Sequence, residues 1–432
     1  MKKQEVAVIG GGITGLIIAY RMLQNDNKVT IYEKDSKLGG LLQSTKIGKE
    51  QVELIYHHIF TSDTYIIDLI EELGLGDTLK WYTPKNGLYI DNKIYPFTSP
   101  FDLISFKPIP FFERIKTGLS VLKAKSIKDY IPLEDITAKE WLLKNSGVKA
   151  YEKLWTPLLK SKFDKDSDKV SAVWIWNKFK LRGNSRSNVS SENLGYLDNG
   201  FGYIIDVLEK KIKDLGGVIK TSTDVEKITD NKEVIVKGKK EKYNKIIAAV
   251  ATPIFSELIK DIKNIDTYKK ILNKIDYKAN ICMILDMKEP LSDYYWTTVC
   301  EELPFVLVIE QNNLMDDKNY AGHVVYLSRY LDKADPMWKK NDKEIYKDFV
   351  SGLKHMYPEF KDSDIKSHEI FKNGYTQPVV LKNYSKNKPS IKTPIKDIYL
   401  AGMSQIYPED RGVNYAARLA EETYKIITEE IE

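Results

Sequence analysis

The sequence predicts a two-domain α/β protein, and three observations support this prediction. A strand, a glycine-rich turn, a helix and a second strand follow one another within the first 33 residues. Strand and helix patterns of the same kind return near the centre of the chain and in its closing segment. The segments between them mix short strands with helices, which favours a second domain that contains a mixed sheet and helices.

Length and composition limit the classes of protein to be considered. At roughly 150 residues per domain, the 432 residues correspond to two or three domains. Hydrophobic residues make up 42% and charged residues 29% of the chain, which is an ordinary globular composition. The net charge of +5 is small for this length and argues against a dedicated nucleic-acid binder.

Cysteine and histidine are scarce. Two cysteines cannot form a disulfide framework, and together with five histidines they leave little material for a metal site, so we expect none. The cytoplasm, which is reducing, is the expected compartment. No run of about 18 apolar residues occurs, and we therefore expect no transmembrane helix.

The opening elements form a βαβ unit. Residues 6–9 are an apolar run typical of a buried parallel strand, and the turn at residues 10–12 consists of glycine alone. From residue 13 to about residue 25 the apolar side chains recur at helical spacing. Residues 29–32 predict a second strand, which ends at Glu33.

Gly10, Gly12 and Gly15 lie between the first strand and the helix, where G-x-G-x-x-G spacing indicates dinucleotide binding. Gly10 permits the tight turn, Gly12 lets the backbone approach a pyrophosphate, and Gly15 allows close packing of helix and strand. The free N–H groups at the helix start, Ile13 and Thr14, are suited to phosphate oxygens. The alternative is a glycine turn in an α/β protein without such a ligand.

Glu33 follows Gly15 by 18 residues and ends the second predicted strand. Its carboxylate is placed to accept hydrogen bonds from both hydroxyls of an adenosine ribose, and it would repel a 2′-phosphate. This position therefore argues against NADP. It does not distinguish NAD from FAD.

The segment after Glu33 reads KDSKLGGLLQS and contains a second pair of glycines. It resembles the second glycine signature of the FAD-dependent amine oxidase, protoporphyrinogen oxidase and phytoene desaturase group. The resemblance implies FAD as cofactor, with the backbone of the glycine pair against its diphosphate and ribityl chain. Five residues of this segment are candidates for contact with FAD: Lys34, Gly39, Gly40, Leu41 and Leu42. Leu41 stands where members of the group often have a basic residue.

Two later segments are similar to the same group. Residues 200–202 (Gly-Phe-Gly) and the helix after them lead to Val225, whose backbone would contact the adenine. The closing strand and helix resemble the group's C-terminal flavin-binding segment, which implies contacts from Gly402, Met403, Gly412, Val413 and Asn414. Many members have an acidic residue where Met403 stands. The helix N-terminus would face the N1–C2=O edge of the flavin, and because this segment contains no cysteine we expect FAD to be bound non-covalently.

These matches predict a Rossmann-like FAD-binding domain built from discontinuous segments, residues 1–75, 200–250 and 393–432. Residues 76–199 and 251–392 would form the substrate domain, with a mixed sheet and helices.

The segment YHHIF, residues 56–60, carries the candidate catalytic residues His57 and His58. Adjacent histidines on a strand point to opposite faces, so at most one of them readily faces the flavin. UDP-galactopyranose mutases, of the same superfamily, have a similar patch with histidine before Ile-Phe, which favours His58. Its imidazole could hydrogen-bond flavin or substrate, or transfer a proton. The alternative is a histidine satisfied by backbone groups in the core.

Residues 101–128 combine aromatic and aliphatic side chains with lysines. They could lie on a membrane surface, with the aromatic rings in the interface and the lysines on anionic lipid. The alternative, which we favour, is that their apolar side covers the substrate domain.

Three arginines are candidates for binding an anionic group of the substrate: Arg182, Arg186 and Arg411. Trp174 and Trp176 fit one face of a core strand better than a pocket wall.

The predicted function is that of an FAD-dependent oxidoreductase similar to protoporphyrinogen oxidases and amine oxidases, in which a hydride passes from a small organic substrate to flavin N5. The alternative enzyme is similar to UDP-galactopyranose mutase and acts on a nucleotide sugar without net redox change. A flavin-binding carrier protein is the non-enzymatic alternative. The expected partner is a small-molecule substrate, and the sequence points to no particular oligomeric state.

Overall fold

The computed structural model describes residues 3–47, 50–184, 186–188, 191–315 and 322–429. The strands are, in chain order, β1 Glu5–Ile9, β2 Lys28–Tyr32, β3 Ser44–Ile47, β4 Glu50–Glu53, β5 Ile59–Phe60, β6 Leu79–Tyr82, β7 Asn86–Ile90, β8 Lys93–Pro96, β9 Arg186–Asn188, β10 Ser191–Glu192, β11 Leu194–Leu197, β12 Val218–Lys220, β13 Lys227–Ile228, β14 Glu233–Val236, β15 Lys239–Lys242, β16 Lys245–Ala248, β17 Tyr277–Met287, β18 Trp296–Val299, β19 Leu307–Glu310, β20 His323–Leu331, β21 Ile365–Pro378 and β22 Ile398–Leu400. The α-helices are α1 Ile13–Gln24, α2 Thr64–Glu72, α3 Pro100–Ser105, α4 Phe111–Ser126, α5 Ala138–Ser146, α6 Val148–Ala150, α7 Thr156–Phe163, α8 Ala172–Asn184, α9 Gly202–Asp214, α10 Thr252–Leu258, α11 Asp266–Leu272, α12 Pro336–Lys339, α13 Asp342–Met356, α14 Tyr384–Asn387 and α15 Val413–Glu429.

A five-stranded parallel sheet lies at the centre of the first domain, in the order β12-β2-β1-β16-β22. Strand β1 pairs with both β2 and β16 and is buried from Val6 onward, which explains its continuous apolar sequence. Helix α1 packs against α9 and α15. The sheet draws its strands from the start, the centre and the closing segment of the chain, and it confirms the predicted α/β fold class.

A seven-stranded mixed sheet forms the second domain, in the order β21-β17-β20-β19-β18-β7-β8. Its neighbours are antiparallel except for β18 and β7, which pair in parallel. Successive side chains of β17 point to opposite faces. Cys282 and Ile284 join the core of the first domain, whereas Ile281 and Met283 belong to the core that includes α13. The mixed sheet therefore packs directly on the first domain.

Helices α3 to α8 form a helical lobe with its own tryptophan-rich core. Trp174 and Trp176 are buried in this core, being 7% and 2% exposed. They lie on helix α8, so the expected core position is correct but the expected strand is wrong.

Helices α3 and α4 expose their apolar side, contrary to the interpretation that it covers the substrate domain. Phe101, Phe112 and Leu122 are 75%, 78% and 61% exposed. The side of α4 that is buried carries small and polar residues instead: Thr117, Ser120 and Ala124. These residues let α4 pack closely against α5 and α8. No helix within the described ranges is long and apolar enough to cross a membrane.

Candidate active site

The turn after β1 requires glycine at two positions and borders open space at a third. Gly10 has a φ of +104°, and a Cβ atom on it would lie 2.6 Å from the backbone oxygen of Ala249. A Cβ atom on Gly15 would lie 2.1 Å from the backbone oxygen of Gly10. A Cβ atom on Gly12 would meet no heavy atom within 4 Å. Because Gly12 caps the N-terminus of α1, where N–H groups favour anions, this open space fits a pyrophosphate.

The second pair of glycines lies against this first turn. The Gly39 N–H donates to the Gly11 carbonyl at 2.8 Å, and Gly39 forms an isolated parallel bridge with Gly12. Gly39 and Gly40 have φ values of +113° and +59°, which favour glycine. A Cβ atom on Gly40 would lie 3.3 Å from the Cα of Gly12. The two turns therefore form one continuous stretch of backbone, as a long dinucleotide requires.

Glu33 is buried where β2 ends, with 6% of its surface exposed. Its Oε2 accepts the Gly11 N–H at 2.7 Å, and its Oε1 accepts the Asp35 N–H at 2.9 Å. Burial raises the pKa of the Glu33 carboxyl, and these two donors oppose that shift. Each oxygen has a second acceptor position, which is what ribose hydroxyls need. Gly11, which the glycine motif does not include, is thus part of the candidate site.

Val225 lies close to Glu33, because the Thr223 N–H donates to the Glu33 carbonyl at 2.8 Å. Val225 is 7% exposed and shares a core cluster with Tyr32. The side chains of the remaining candidates in the second glycine segment differ in exposure: Leu42 is buried, Leu41 is half-buried and Lys34 is exposed.

The N-terminal turns of α1 and α15 lie side by side. The Thr14 hydroxyl donates to the Ala416 carbonyl at 3.3 Å. Val413 and Asn414 begin α15 and are both buried. The Asn414 Oδ1 accepts the Ile66 N–H at 3.1 Å, so this side chain ties α2 to α15. Its backbone is the part that is suited to a cofactor at the helix N-terminus.

Gly402 lies two residues after the end of β22. A Cβ atom on it would lie 2.4 Å from the backbone oxygen of Val250, so glycine is required. Met403 is half-buried and packs against both the first-domain core and the helical lobe. Gly412 immediately precedes α15, and a Cβ atom there would lie 3.6 Å from the Tyr415 ring, an ordinary contact.

His57 and His58 lie in an irregular segment directly before β5, not on a strand as predicted. The His57 Nδ1 lies 2.6 Å from the Ile55 carbonyl oxygen. Because a carbonyl only accepts, the proton is on Nδ1 and Nε2 is an acceptor. Burial, followed by the charge of Arg411, lowers the pKa of His57 to about 3. His57 is therefore neutral at physiological pH.

His58 lies among aromatic side chains. Its Nδ1 is 3.0 Å from the Tyr295 hydroxyl, and its ring centroid lies 5.4 Å from Phe60 and 5.6 Å from Trp296. Burial raises the pKa of the Tyr295 phenol, which keeps this hydroxyl protonated. The two histidines thus contact separate sets of groups.

Sequence reasoning missed an aromatic cluster around Tyr56. The Tyr56 ring meets Trp296 edge-on at 5.2 Å and Tyr326 at 6.2 Å, and its hydroxyl lies 3.5 Å from that of Tyr330. Strands β18 and β20 supply these partners, and no local sequence pattern marks them.

Of the three candidate arginines, the structure places Arg411 beside the Tyr56 cluster, because its Nη2 donates to the Tyr330 hydroxyl. The side chains of Arg182 and Arg186 lie outside the described residues.

The parallel sheet, its two apposed glycine turns and the second domain packed against it define a two-domain dinucleotide-binding protein. The chain belongs to the flavin-containing amine oxidoreductase family, whose family model matches residues 13–409. The predicted family resemblance is thereby confirmed. FAD is the cofactor, the enzyme class is an FAD-dependent oxidoreductase, and the residues around both glycine turns fit that cofactor.

Comparison with individual proteins adds detail. Coproporphyrinogen III oxidase from Staphylococcus aureus (strain NCTC 8325 / PS 47) is 26% identical over 259 residues, which span 52% of this chain and 55% of that protein. Flavin-containing amine oxidase B from Homo sapiens is 23% identical over 434 residues, which span 93% of this chain and 81% of that protein. The structure of reduced UDP-galactopyranose mutase superposes with a TM-score of 0.77 at 15% identity, covering 99% of this chain and 96% of the other. Structural likeness at that identity shows the fold alone.

Proposed function

We propose that this chain oxidises a small organic substrate bound between its two domains, with a hydride passing from a substrate C–H bond to N5 of FAD. The main support is the convergence of both glycine turns, Glu33 and the N-terminal turns of α1 and α15 in one region of the first domain. FAD supplies the electron chemistry when it is bound. The chain supplies orientation, charge and the substrate cavity.

Each group of the proposed cofactor site has a distinct task. The backbone at Gly12, Thr14 and Gly40 would hold the diphosphate, since it combines open space with helix N–H groups. Glu33 would accept hydrogen bonds from the ribose. The N-terminus of α15 would stabilise negative charge at the N1–C2=O edge of the flavin.

The two histidines have different proposed roles. His58 is our candidate for contact with flavin or substrate, and its contact with Tyr295 would fix the orientation of its ring. His57 is neutral with an acceptor Nε2, so it can orient a donor but is a poor proton donor near neutral pH.

An anaerobic screen tests the proposed reaction. FAD-loaded protein is mixed with pools of amines, porphyrinogens, polyenes and sugar nucleotides, and loss of the visible absorption of oxidised flavin is measured. We expect bleaching by one class of compound. Protein that does not retain FAD, or whose flavin no pool reduces, would contradict the proposal.

The His58→Ala variant tests the proposed role of His58. We expect kcat to fall roughly 100-fold or more, with FAD absorption retained. His355→Ala is the matched control, because His355 is an exposed histidine on α13. Full turnover in His58→Ala would show that His58 has no catalytic role and only packs in the core.

A second candidate function is rearrangement of a nucleotide sugar without net redox change. Its support is the patch of His58, Ile59 and Phe60, which resembles that of the mutases. Chemical reduction of the flavin should then switch on turnover of a sugar nucleotide while the flavin stays reduced. Turnover that instead consumes an electron acceptor would exclude this function.

We further propose that α3 and α4 contact a lipid surface. Exposed lysines, among them Lys107, Lys116 and Lys128, accompany exposed Phe101 and Phe112, a combination that suits an anionic interface. Cosedimentation should be stronger with vesicles that contain phosphatidylglycerol than with phosphatidylcholine alone, and Phe112→Ser should weaken it. Equal recovery in the supernatant for all mixtures would refute this contact.

The cytoplasm remains the predicted compartment, supported by two free cysteines.

A further inference from the structure

Three cationic side chains surround the carboxylate of Asp410 at the boundary between the helical lobe and the first domain. They are Lys162 of α7, Lys178 of α8, and Arg411, which immediately precedes Gly412 and α15. The Lys178 Nζ lies 2.9 Å and the Lys162 Nζ 3.9 Å from the Asp410 Oδ2. Segments from two parts of the fold therefore bring positive charge to one place.

Asp410 neutralises one of these three charges. It is 4% exposed, and the Gln377 Nε2 donates to its Oδ1 at 2.9 Å. The Arg411 Nε in turn donates to the Gln377 Oε1 at 3.2 Å. Burial alone would raise the pKa of the Asp410 carboxyl, but the charges of Lys178, Lys162 and Arg411 hold it well below its ordinary value. Asp410 is thus ionised at neutral pH.

Positive charge remains in excess around Lys162. Burial lowers the pKa of its ammonium group and the charges of Arg411 and Lys178 lower it further, whereas Tyr330 and Asp410 oppose this shift. Asp63 also interacts with Lys178, but burial raises the pKa of Asp63 to about 6, and its Oδ2 already accepts the Phe60 N–H at 2.9 Å. Lys162, Lys178 and Arg411 outnumber the two carboxylates near them, Asp410 and Asp63, and the further group that can carry negative charge is the Tyr330 phenol, whose pKa Arg411 and Lys162 lower. An additional anion would relieve this imbalance.

The cluster adjoins the proposed active site. The Arg411 Nη2 donates to the Tyr330 hydroxyl, which lies 3.5 Å from the hydroxyl of Tyr56, the residue before His57. Burial opposes ionisation of Tyr330, yet the charges of Arg411 and Lys162 lower the pKa of this phenol. The side chains of Lys162 and Lys178 keep 22% and 34% of their surface accessible, so a bound molecule can reach them.

We infer that Lys162, Lys178 and Arg411 form a subsite for an anionic group of the substrate, a carboxylate or a phosphate. This inference rests on the proposed function, because it defines the chemistry of the molecule held at the same site. Arginine presents a planar fork that matches either oxyanion, and the lysines add point charges.

Anion binding to the FAD-loaded protein tests this subsite. Inorganic pyrophosphate and glutarate are titrated separately, and binding is followed by calorimetry and by the flavin difference spectrum. We expect saturable binding, with Kd about 10-fold weaker in Lys162→Gln and in Arg411→Gln, because each variant removes a charged hydrogen-bond donor. Tighter binding of pyrophosphate assigns a phosphate group, and tighter binding of glutarate assigns a carboxylate.

Lys180→Gln is the matched control. Lys180 lies two residues after Lys178 on α8, but its ammonium group is over the Trp176 ring, 4.8 Å from the centroid. Its variant should bind both anions like the wild type. Lys162→Gln is preferred to Lys178→Gln, because Lys162 is the more distant partner of Asp410, and thermal unfolding verifies that each variant is folded.

The outcomes separate this inference from the proposed function. No saturable binding by the wild type, or equal Kd values for the wild type and both variants, overturns the subsite. If the protein retains FAD and a metabolite reduces it while neither anion binds, only the subsite is refuted. Failure to retain FAD refutes the proposed function itself.

Discussion

Helices α1 and α4 are both rich in apolar residues, yet α1 buries them and α4 exposes them. Leu16 and Ile18 of α1 are 0% exposed, whereas Leu119 and Leu122 of α4 are 57% and 61% exposed. Helix α1 lies between the parallel sheet and two further helices, so almost every face is covered. Helix α4 packs through its small residues instead. Apolar content alone therefore does not tell which face of a helix is buried.

Removing one leucine from each helix should give the largest difference between them. Leu16→Ala should lower the free energy of unfolding by about 2–5 kcal/mol, because it opens a cavity in a packed core. Leu122→Ala should change it by less than about 0.5 kcal/mol, as at other exposed positions. Urea unfolding of both variants measures the difference, and similar losses would show that α4 is covered in solution.

Two glycines at the start of α1 should respond differently to alanine. Gly15→Ala should cost about 1–3 kcal/mol of stability, because its Cβ would meet the backbone of Gly10. Gly12→Ala should lower the stability of the FAD-free protein by at most about 1 kcal/mol, the cost of alanine at an N-cap, but weaken FAD binding about 10-fold or more, since a methyl group would enter the open space. Thermal unfolding and flavin retention separate the two effects. Tight FAD binding by Gly12→Ala would rule out this position for the diphosphate.

Buried and exposed histidines should also differ in how they make stability depend on pH. The pKa of His57 is about 3 in the folded state, against about 6.5 in an unfolded chain. The unfolded state therefore binds more protons between these values, and stability falls as pH decreases through this range. Between pH 7 and pH 5 the loss due to His57 is about 2 kcal/mol.

Urea unfolding at both pH values measures this loss as a difference between the wild type and His57→Gln. Other groups, including Asp63, titrate in both proteins and cancel in the comparison. His355→Gln, at an exposed position on α13, should keep the wild-type dependence on pH. Identical pH profiles for the wild type and His57→Gln would show that this imidazole is not buried in the neutral form.

Alanine in place of a glycine within α4 should raise the stability of the protein, whereas alanine at Gly15 should lower it. A Cβ atom on Gly118 would lie 3.9 Å from Leu103, an ordinary contact. Gly118→Ala should therefore stabilise the protein by about 0.5–1 kcal/mol, because alanine loses less backbone entropy in a helix. A higher Tm would support this. A lower Tm would mean that α4 has a neighbour too close for a methyl group.

The first domain was largely predictable because its elements follow from local spacing. The predicted strands at residues 6–9 and 29–32 correspond to β1 and β2, and the predicted helix at residues 13–25 corresponds to α1. Glycines at fixed positions set the turns, so the order of elements is encoded within a few residues.

The second domain and much of the candidate site depend on packing between distant segments. Lys162, Tyr330 and Arg411 meet only because α7, β20 and the segment before α15 converge. The orientation of α4 was predicted wrongly because apolar and basic residues alternate around that helix, so its sequence has no clear apolar face. Local periodicity carries no information on either arrangement.

The hydrogen bond from Thr14 to Ala416 joins residues 402 positions apart in the chain. A ribosome that adds about 5–20 residues per second needs roughly 20–80 s to synthesise the chain between them. During that time the surface of α1 that α15 will cover stays open to water or to chaperones. On the proposed site, which needs the N-terminus of α15, the coenzyme would be loaded only after that helix has been made, and translational arrest before β22 would leave the α15-facing side of α1 uncovered.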